Sequence, residues 1–433
     1  MTGPAQPDDG YLRALVTATE RAVAAAEPLS SEFAGAPAAL RDPVRAAVTE
    51  LGDELVALSR DLHAHPETSF EEHRSVAAVA DLLRRHGHEP EVGVGLATAL
   101  RCTTGNDGPH VGILAEYDAL PGIGHGCGHN VIAATAVGAF LGLAGRAPGR
   151  VTLFGTPAEE GGGGKETLAR LGVFDDVDAV VMLHPFSHDV AMHPFLGRRQ
   201  VEMVFHGVAA HASAQPFMGR NALDAAVSAY TGVAALRQHL PPSDRLHGTF
   251  TDGGARPNVV PDRAALLFYV RSMEPETLRD LAHRVSEIAH GAARMHGCTV
   301  DLSWDDMPAY LPIRQNTALA GRWAANQVER GRTPLAPGIV PEFLTGSTDL
   351  GNLSYRLPAI HPMLAIAGPT AALHTVGFAE AAGGETGDQG VRDGADGLAL
   401  TALDYLADDA LRAAVDEEFA AQGGPIDVPA FFA

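Results

Sequence analysis

Three short apolar runs, each followed by metal-donor residues, constrain this chain more than any other feature. They are HVGILAEYD (His110 to Asp118), VTLFGTP (Val151 to Pro157) and DAVVMLHP (Asp178 to Pro185). Each is too brief for a core helix and reads as a strand buried on both faces. Helical stretches at Asn130 to Leu143 and Lys165 to Leu171 separate them, and strand-helix alternation predicts an α/β layer fold around one largely parallel sheet. Two amphipathic helices are expected ahead of it. One runs from about Pro43 to His63 and stops before Pro66; the other runs from Phe70 to His86 with Gly87 as its stop.

From about Gly197 the rhythm changes. A strand to His206, a helix from Asn221 to His239, strands at Leu246 to Thr251 and Ala264 to Arg271, a helix from Pro275 to Met295 and a strand at Cys298 to Trp304 give the order βαββαβ. That is the split βαβ, or ferredoxin-like, unit. The expected organisation is therefore a catalytic domain over 1–195 and 311–433, with an inserted domain at 196–310. A helix at Asn316 to Arg330, an apolar strand AIHPMLAIAG and a helical region from Gly390 to Ala421 would return to the first sheet. Residues 1–10 are expected to be disordered.

With 433 residues and 46% hydrophobic content, the chain can bury a core large enough for two domains. Its 53 acidic against 31 basic residues give a net charge of -22, the opposite of a nucleic-acid surface. No apolar run approaches the roughly 20 residues of a membrane span, and the opening MTGPAQPDDG lacks a secretory pattern. Cys102, Cys127 and Cys298 are too few and too scattered for a disulfide framework. A cytoplasmic protein with no membrane or nucleic-acid partner is expected.

Open α/β sheets gather ligands beyond the carboxyl ends of their strands. Behind the first strand stands HGCGHN with Cys127 and His129; behind the second, AEEGGGG with Glu159 and Glu160; the third ends at His184. His374 lies in GPTAALHTVGF after the last expected strand. Thiol, imidazole and carboxylate are the donors of zinc or a related divalent metal. Taken singly, each has a bland alternative: a small buried hydrophobe, an exposed acidic turn, a hydrogen-bonded core histidine. Four strand-end loops that all deliver donors favour the metal. Adjacent carboxylates in a pocket also call for a cation or a shared proton. One could coordinate while its neighbour moves a proton, and spacing alone leaves open which does which.

RDLHAHPETSFEE, ILAEYDALPGIGHGCGHN, GTPAEEGGGGK, GVAAHAS, RPNVVPDRAALLFYVR, GSTDLGNLSY and ALHTVGF, in this order, resemble the zinc-dependent aminoacylase and carboxypeptidase family of metallopeptidases. Within it the chain resembles the amidohydrolase branch, with its aminobenzoyl-glutamate hydrolases, auxin-conjugate hydrolases and dipeptidases. The resemblance implies a di-zinc exopeptidase-like catalytic domain and an inserted ferredoxin-like α+β lid that also dimerises. It implies two divalent metals, zinc first with manganese or cobalt as alternatives, on Cys127, His129, Glu160, His184 and His374. Glu159 becomes the general base and acid, and His211 the lid histidine that polarises the scissile carbonyl. Asn258, Arg271, Gly346, Ser347 and Thr348 would face substrate, and Asp118 would orient a ligand. His63 and His65 would position the first helix. The expected reaction is hydrolysis of the amide bond of a small carboxylate-bearing molecule, a dipeptide or an aminobenzoyl-glutamate-like compound. The alternatives are an N-acyl amino acid deacylase with the same site, or an idle binding protein that retains the fold. The chain departs from auxin-conjugate-type relatives at Asn130, where they carry Asp, and at Ala115-Glu116-Tyr117-Asp118, where they carry A-D-M-D.

Overall fold

The structure, a computed structural model, describes residues 7–105 and 107–433. It contains two compact units. The first comprises the chain up to His193, Arg314–Leu344 and Leu353–Asp427; the second comprises Pro194–Ile313, Thr345–Asn352 and Val428–Ala433.

In the first unit, His110–Ala115, Arg150–Gly155, Ala179–Val181 and Ala359–Ile360 run parallel, and Leu100–Gly105 pairs antiparallel with Arg150–Gly155. Glu91–Val92 completes a six-stranded mixed sheet. Every residue of His110–Ala115 is buried, as a central parallel strand requires. The helix Ala38–Ala64 buries Val44, Val48, Leu51, Leu55, Leu58 and Leu62, whose alternating spacing of four and three places them on one face. It packs against the helix His129–Leu143, which is buried along its whole length. A Cβ at Gly138 would come within 2.4 Å of Leu55 and 2.8 Å of Ala395, so only glycine lets these helices approach so closely.

The second unit is a four-stranded antiparallel sheet of Gly197–His206, Arg245–Asp252, Arg263–Ser272 and Thr299–Trp304. The helices Ala222–Leu236 and Pro275–Met295 form its apolar core with the sheet. The short C-terminal helix Val428–Phe432 belongs to this unit, with Arg199 stacked over Phe432 and Arg279 over Phe431.

Several expected elements differ in extent. The first predicted helix begins at Ala38 rather than Pro43, which sits inside it, and the second begins at His73 because Phe70 adopts a left-handed backbone (φ 68°). The run Asp178 to Pro185 is not one strand. Ala179–Val181 stays in the main sheet, whereas His184–Phe186 pairs in parallel with Met363–Ala365 in a separate two-stranded sheet. AIHPMLAIAG breaks at the same level into Ala359–Ile360 and Met363–Ala365. Residues 311–433 do not all belong to the first unit, since Thr345–Asn352 and Val428–Ala433 go with the second. Of the N-terminal stretch expected to be disordered, residues 1–6 lie outside the described residues and Gly10 opens the helix Gly10–Ala25.

One polar network ties the helix Glu385–Ala407 to the rest of the first unit. Asp404, with no exposed side-chain surface, accepts from Arg41 at 3.1 Å, Arg322 at 2.9 Å, Asn326 at 3.0 Å and the Ala36 amide at 2.8 Å. Removing it leaves two guanidinium groups buried without their shared partner. Asp404→Ala should cost about 3–5 kcal/mol of stability, read as a lowered urea midpoint; an unchanged midpoint would contradict this role for the network.

Candidate metal centre

The parallel strands of the first unit share one direction, so their carboxyl ends bring different loops to one edge of the sheet. Cys127, His129 and His184 form one group of donors, Cys127, Glu160 and His374 a second, and His129, Glu159 and Glu160 a third. Within each group the donor atoms lie within 4.8 Å of one another. All five residues that the resemblance implies as ligands, together with Glu159, are thus placed at one location.

Local backbone chemistry produces this convergence. Gly128 caps the helix His129–Leu143 in the left-handed region (φ 83°), and a Cβ there would stand 2.9 Å from Pro185. The glycine therefore lets the Cys127 loop pass against the strand that carries His184. Ala158, before the glutamate pair, also has a left-handed backbone (φ 59°), and its amide donates to the buried Glu72 carboxylate at 2.9 Å. Behind the pair, a Cβ at Gly164 would sit 1.8 Å from the Pro157 carbonyl oxygen. His374 shares the left-handed conformation (φ 62°), and its amide donates to the Gly126 carbonyl at 2.9 Å.

Hydrogen bonds fix which imidazole nitrogen faces the centre. His129 Nδ1 stands 2.9 Å from the Asp118 carbonyl oxygen and 3.0 Å from its carboxylate, neither of which can donate. The proton is therefore on Nδ1. Nε2 is buried, has no hydrogen-bond partner, and stands 3.5 Å from Glu116 and 3.9 Å from Glu159. His184 Nδ1 likewise donates to the Pro185 carbonyl at 2.7 Å, which turns Nε2 towards Cys127 Sγ at 3.4 Å. Metal-binding histidines are prepared in this way, one nitrogen pinned and the other left as a lone pair. His374 Nε2 is 3.4 Å from Glu160 Oε1.

Burial opposes a charge on His129, yet the facing Cys127 and Asp118 raise it well above its usual range, so this negative cluster draws a proton to the place where a cation would otherwise sit. Burial and the neighbouring Glu160 carboxylate push the Cys127 thiol well above its usual range. Burial would also raise Asp118, but facing His129 and hydrogen bonds from Glu160 N and Ser69 bring its carboxyl down to about 2. Burial holds His184 down to about 3, in the neutral form that can coordinate. Four carboxylates (Glu116, Asp118, Glu159 and Glu160) and a thiol gather around His129. A buried cluster of that sign calls for cations. Sulfur, nitrogen and oxygen donors with an orphaned His129 Nε2 fit a divalent metal.

Two residues of this neighbourhood escaped the sequence reading. Lys165, fully buried, makes an ion pair with Glu116, and the other oxygen of Glu116 is the one that faces His129. The available signal was a lysine at the end of a glycine run and a glutamate where relatives carry aspartate. Asn130, the other departure, is no part of the donor set: its amide donates to Ser59 Oγ at 2.9 Å and the Ala382 carbonyl at 3.0 Å. His63 donates to the Ala379 carbonyl at 2.8 Å, and His65 to the Asp61 carbonyl at 2.9 Å.

His211, Asn258, Arg271, Gly346, Ser347 and Thr348 belong to the second unit. The His211 and Val259 backbones pair, the Ala212 amide donates to the Asn258 carbonyl at 3.1 Å, and His211 Nδ1 receives the Ala214 amide at 3.2 Å. Arg271 donates to Ser347 Oγ at 3.0 Å, and the Gly346 carbonyl accepts from Leu196 at 2.8 Å. Loop residues distant in sequence are thereby held beside the sheet of that unit.

Comparison with known proteins agrees with this reading. Residues 196–294 match the peptidase dimerisation domain family. Xaa-Arg dipeptidase of Mus musculus is 37% identical over 393 residues, covering 86% of this chain and 90% of the relative. A p-aminobenzoyl-glutamate hydrolase chain of Escherichia coli (strain K12) is 38% identical over 277 residues, covering 58% of this chain and 57% of the relative. Among solved structures, a putative aminohydrolase from methicillin-resistant Staphylococcus aureus shares the fold with a TM-score of 0.71 at 22% identity, covering 84% of this chain and 100% of that one. The chain belongs to the aminoacylase and carboxypeptidase family of metallopeptidases, the M20 family, in its amidohydrolase branch, and is a metal-dependent hydrolase of amide bonds.

Proposed function

We propose that this hydrolase cleaves the amide bond of a small carboxylate-bearing molecule, a dipeptide or an aminobenzoyl-glutamate-like compound, with Glu159 moving the proton. The observation that carries the reading is the convergence of the donors, three of them buried, with Nδ1 of both His129 and His184 hydrogen-bonded and Nε2 turned to the centre. Cys127, His129, Glu160, His184 and His374 would hold two divalent cations. Zinc suits the thiolate best, and manganese or cobalt is compatible with the imidazoles and carboxylate. Bound there, the cations supply Lewis-acid activation of water and of the substrate carbonyl.

The protein's own residues do the rest. Glu159, 7% exposed in a loop whose backbone is pinned by Glu72, accepts a proton on its carboxylate as water attacks and returns it to the departing nitrogen. Asp118 keeps His129 in one tautomer and orientation while this happens. For the second unit, the resemblance supports His211 as the donor to the carbonyl oxygen and Asn258, Arg271, Gly346 and Ser347 as substrate-binding residues. A guanidinium can receive a carboxylate through two hydrogen bonds, the role proposed for Arg271. The match to a dimerisation domain supports a homodimer, with His211 acting across it. Among the described residues no helix is long and apolar enough to cross a membrane, and three free cysteines suit the reducing cytoplasm.

The test is turnover of aminobenzoyl-glutamate, a dipeptide panel and N-acetyl amino acids, with and without chelator. Cleavage should vanish with chelator and return with zinc, manganese or cobalt. Activity confined to the acetylated amino acids would favour the deacylase, and binding without turnover in metal-loaded protein would favour the idle protein. Glu159→Ala should keep its metal and lose roughly 10²–10⁴-fold in kcat; full activity would remove Glu159 from the mechanism. Cys127→Ala should instead lower the metal content measured by mass spectrometry, and a normal count would end its assignment as a ligand. Arg271→Ala should raise KM for carboxylate-bearing substrates by about ten-fold or more, and an unchanged KM would count against the carboxylate contact.

A further inference from the structure

The two glutamates of the pair are adjacent in sequence, yet different parts of the fold hold them. The Glu160 amide donates to the Asp118 carboxylate at 2.9 Å, three residues beyond the strand His110–Ala115. Upstream, the Thr156 amide donates to the Ala115 carbonyl at 2.8 Å, so the segment leaves the sheet at a fixed point. Between these anchors Pro157 has no amide to give. The next amide, that of Ala158, donates to Glu72 Oε1 at 2.9 Å. Glu72 therefore grips the backbone one residue ahead of Glu159.

That grip holds the chain against its own preference. Ala158 has φ 59°, and Phe70, whose amide donates to the same Glu72 oxygen at 2.9 Å, has φ 68°. Residues with a Cβ enter the left-handed region only under compulsion. Here one buried oxygen rewards both of them for it. Glu72 Oε2 accepts from Thr98 Oγ1 at 2.7 Å, and the side chain has no exposed surface, so the carboxylate cannot turn away. The same two residues also meet at Gly162, where a Cβ would stand 2.6 Å from Ala158 Cβ and 2.8 Å from Phe70 Cε2. Without the Glu72 acceptor both amides lose their partner, and the strain at Ala158 is no longer offset. A rotation at Ala158 swings Glu159, whereas Glu160 keeps its own bond to Asp118.

We infer that Glu72 is a positioning residue for the reaction: acting through the Ala158 backbone, it aims the Glu159 carboxylate, while Asp118 separately places Glu160. The inference deepens the proposed function and rests on its assignment of Glu159 as the proton carrier.

Kinetics of the metal-loaded enzyme on the best-cleaved compound of the substrate panel test this, with metal content measured on the same samples. Glu72→Ala should lose about 10–100-fold in kcat while KM and metal content stay at the wild-type level. Glu72→Gln keeps an oxygen able to accept from both amides and should recover most of that loss. Adding Ala158→Gly to Glu72→Ala should recover part of it, because glycine holds a left-handed backbone without strain. A wild-type kcat in Glu72→Ala, metal lost in step with activity, or a Glu72→Gln variant as slow as Glu72→Ala overturns the inference. Should Glu72→Ala not fold, Glu72→Asp, which draws the carboxylate back by one methylene, takes its place with the same expected split. Glu159→Ala separates the inference from the reading beneath it, since full activity there removes Glu159 from the mechanism whatever Glu72 does. The crystal structure of the Glu72 variant then decides alone: Ala158 outside the left-handed region supports the inference, and Ala158 unmoved overturns it.

Discussion

The Asp118 carboxylate is the interaction on which the centre depends. One oxygen faces His129 Nδ1, and the other accepts from the Glu160 amide and from Ser69 Oγ, each at 2.9 Å. A single buried side chain thereby fixes the helix that begins at His129, the loop that carries the glutamate pair and the segment before the helix His73–Arg85. Burying a carboxylate is costly unless its lone pairs are filled, and here they are. Strand His110–Ala115 ends three residues earlier, so the rigid middle of the sheet sets the position of Asp118. Precision at the donor atoms follows from their attachment to the sheet and to buried helices.

Charge explains why the surrounding residues look as they do. Glu116 is longer than the aspartate of auxin-conjugate-type relatives and brings one oxygen to Lys165 while the other faces His129. Lys165 has no exposed surface, which a lysine tolerates only when paired. Asn130 removes a negative charge that those relatives carry and spends its amide on Ser59 and Ala382, between two helices. Of these departures Asn130 alone lowers the net negative charge near the centre, since Glu116 keeps the charge of the aspartate it replaces, and the five proposed donors are untouched.

Much of this was legible in the chain. Period-free apolar runs give strands, and donors behind several of them give a site, because parallel strands deliver their carboxyl ends to one edge. The inserted βαββαβ unit announced itself through its change of rhythm, and Pro275–Met295 was read to the residue. What escaped depended on contacts far apart in sequence. The break between Val181 and His184 follows from pairing with Met363–Ala365, which no local pattern records. The left-handed backbones of Ala158 and His374 are held by tertiary hydrogen bonds against ordinary preference, and that of Phe70 by a local one to Glu72. The pair Lys165–Glu116 joins residues 49 apart.

The central claim is that five donors from four loops hold two cations at one edge of the sheet. Anomalous diffraction from crystals of the metal-loaded protein, recorded on either side of the metal absorption edge, tests it most directly. The account predicts two peaks, bounded by Cys127, His129, Glu160, His184 and His374 and with His129 coordinated through Nε2. A single peak, peaks elsewhere, or coordination of His129 through Nδ1 would contradict it.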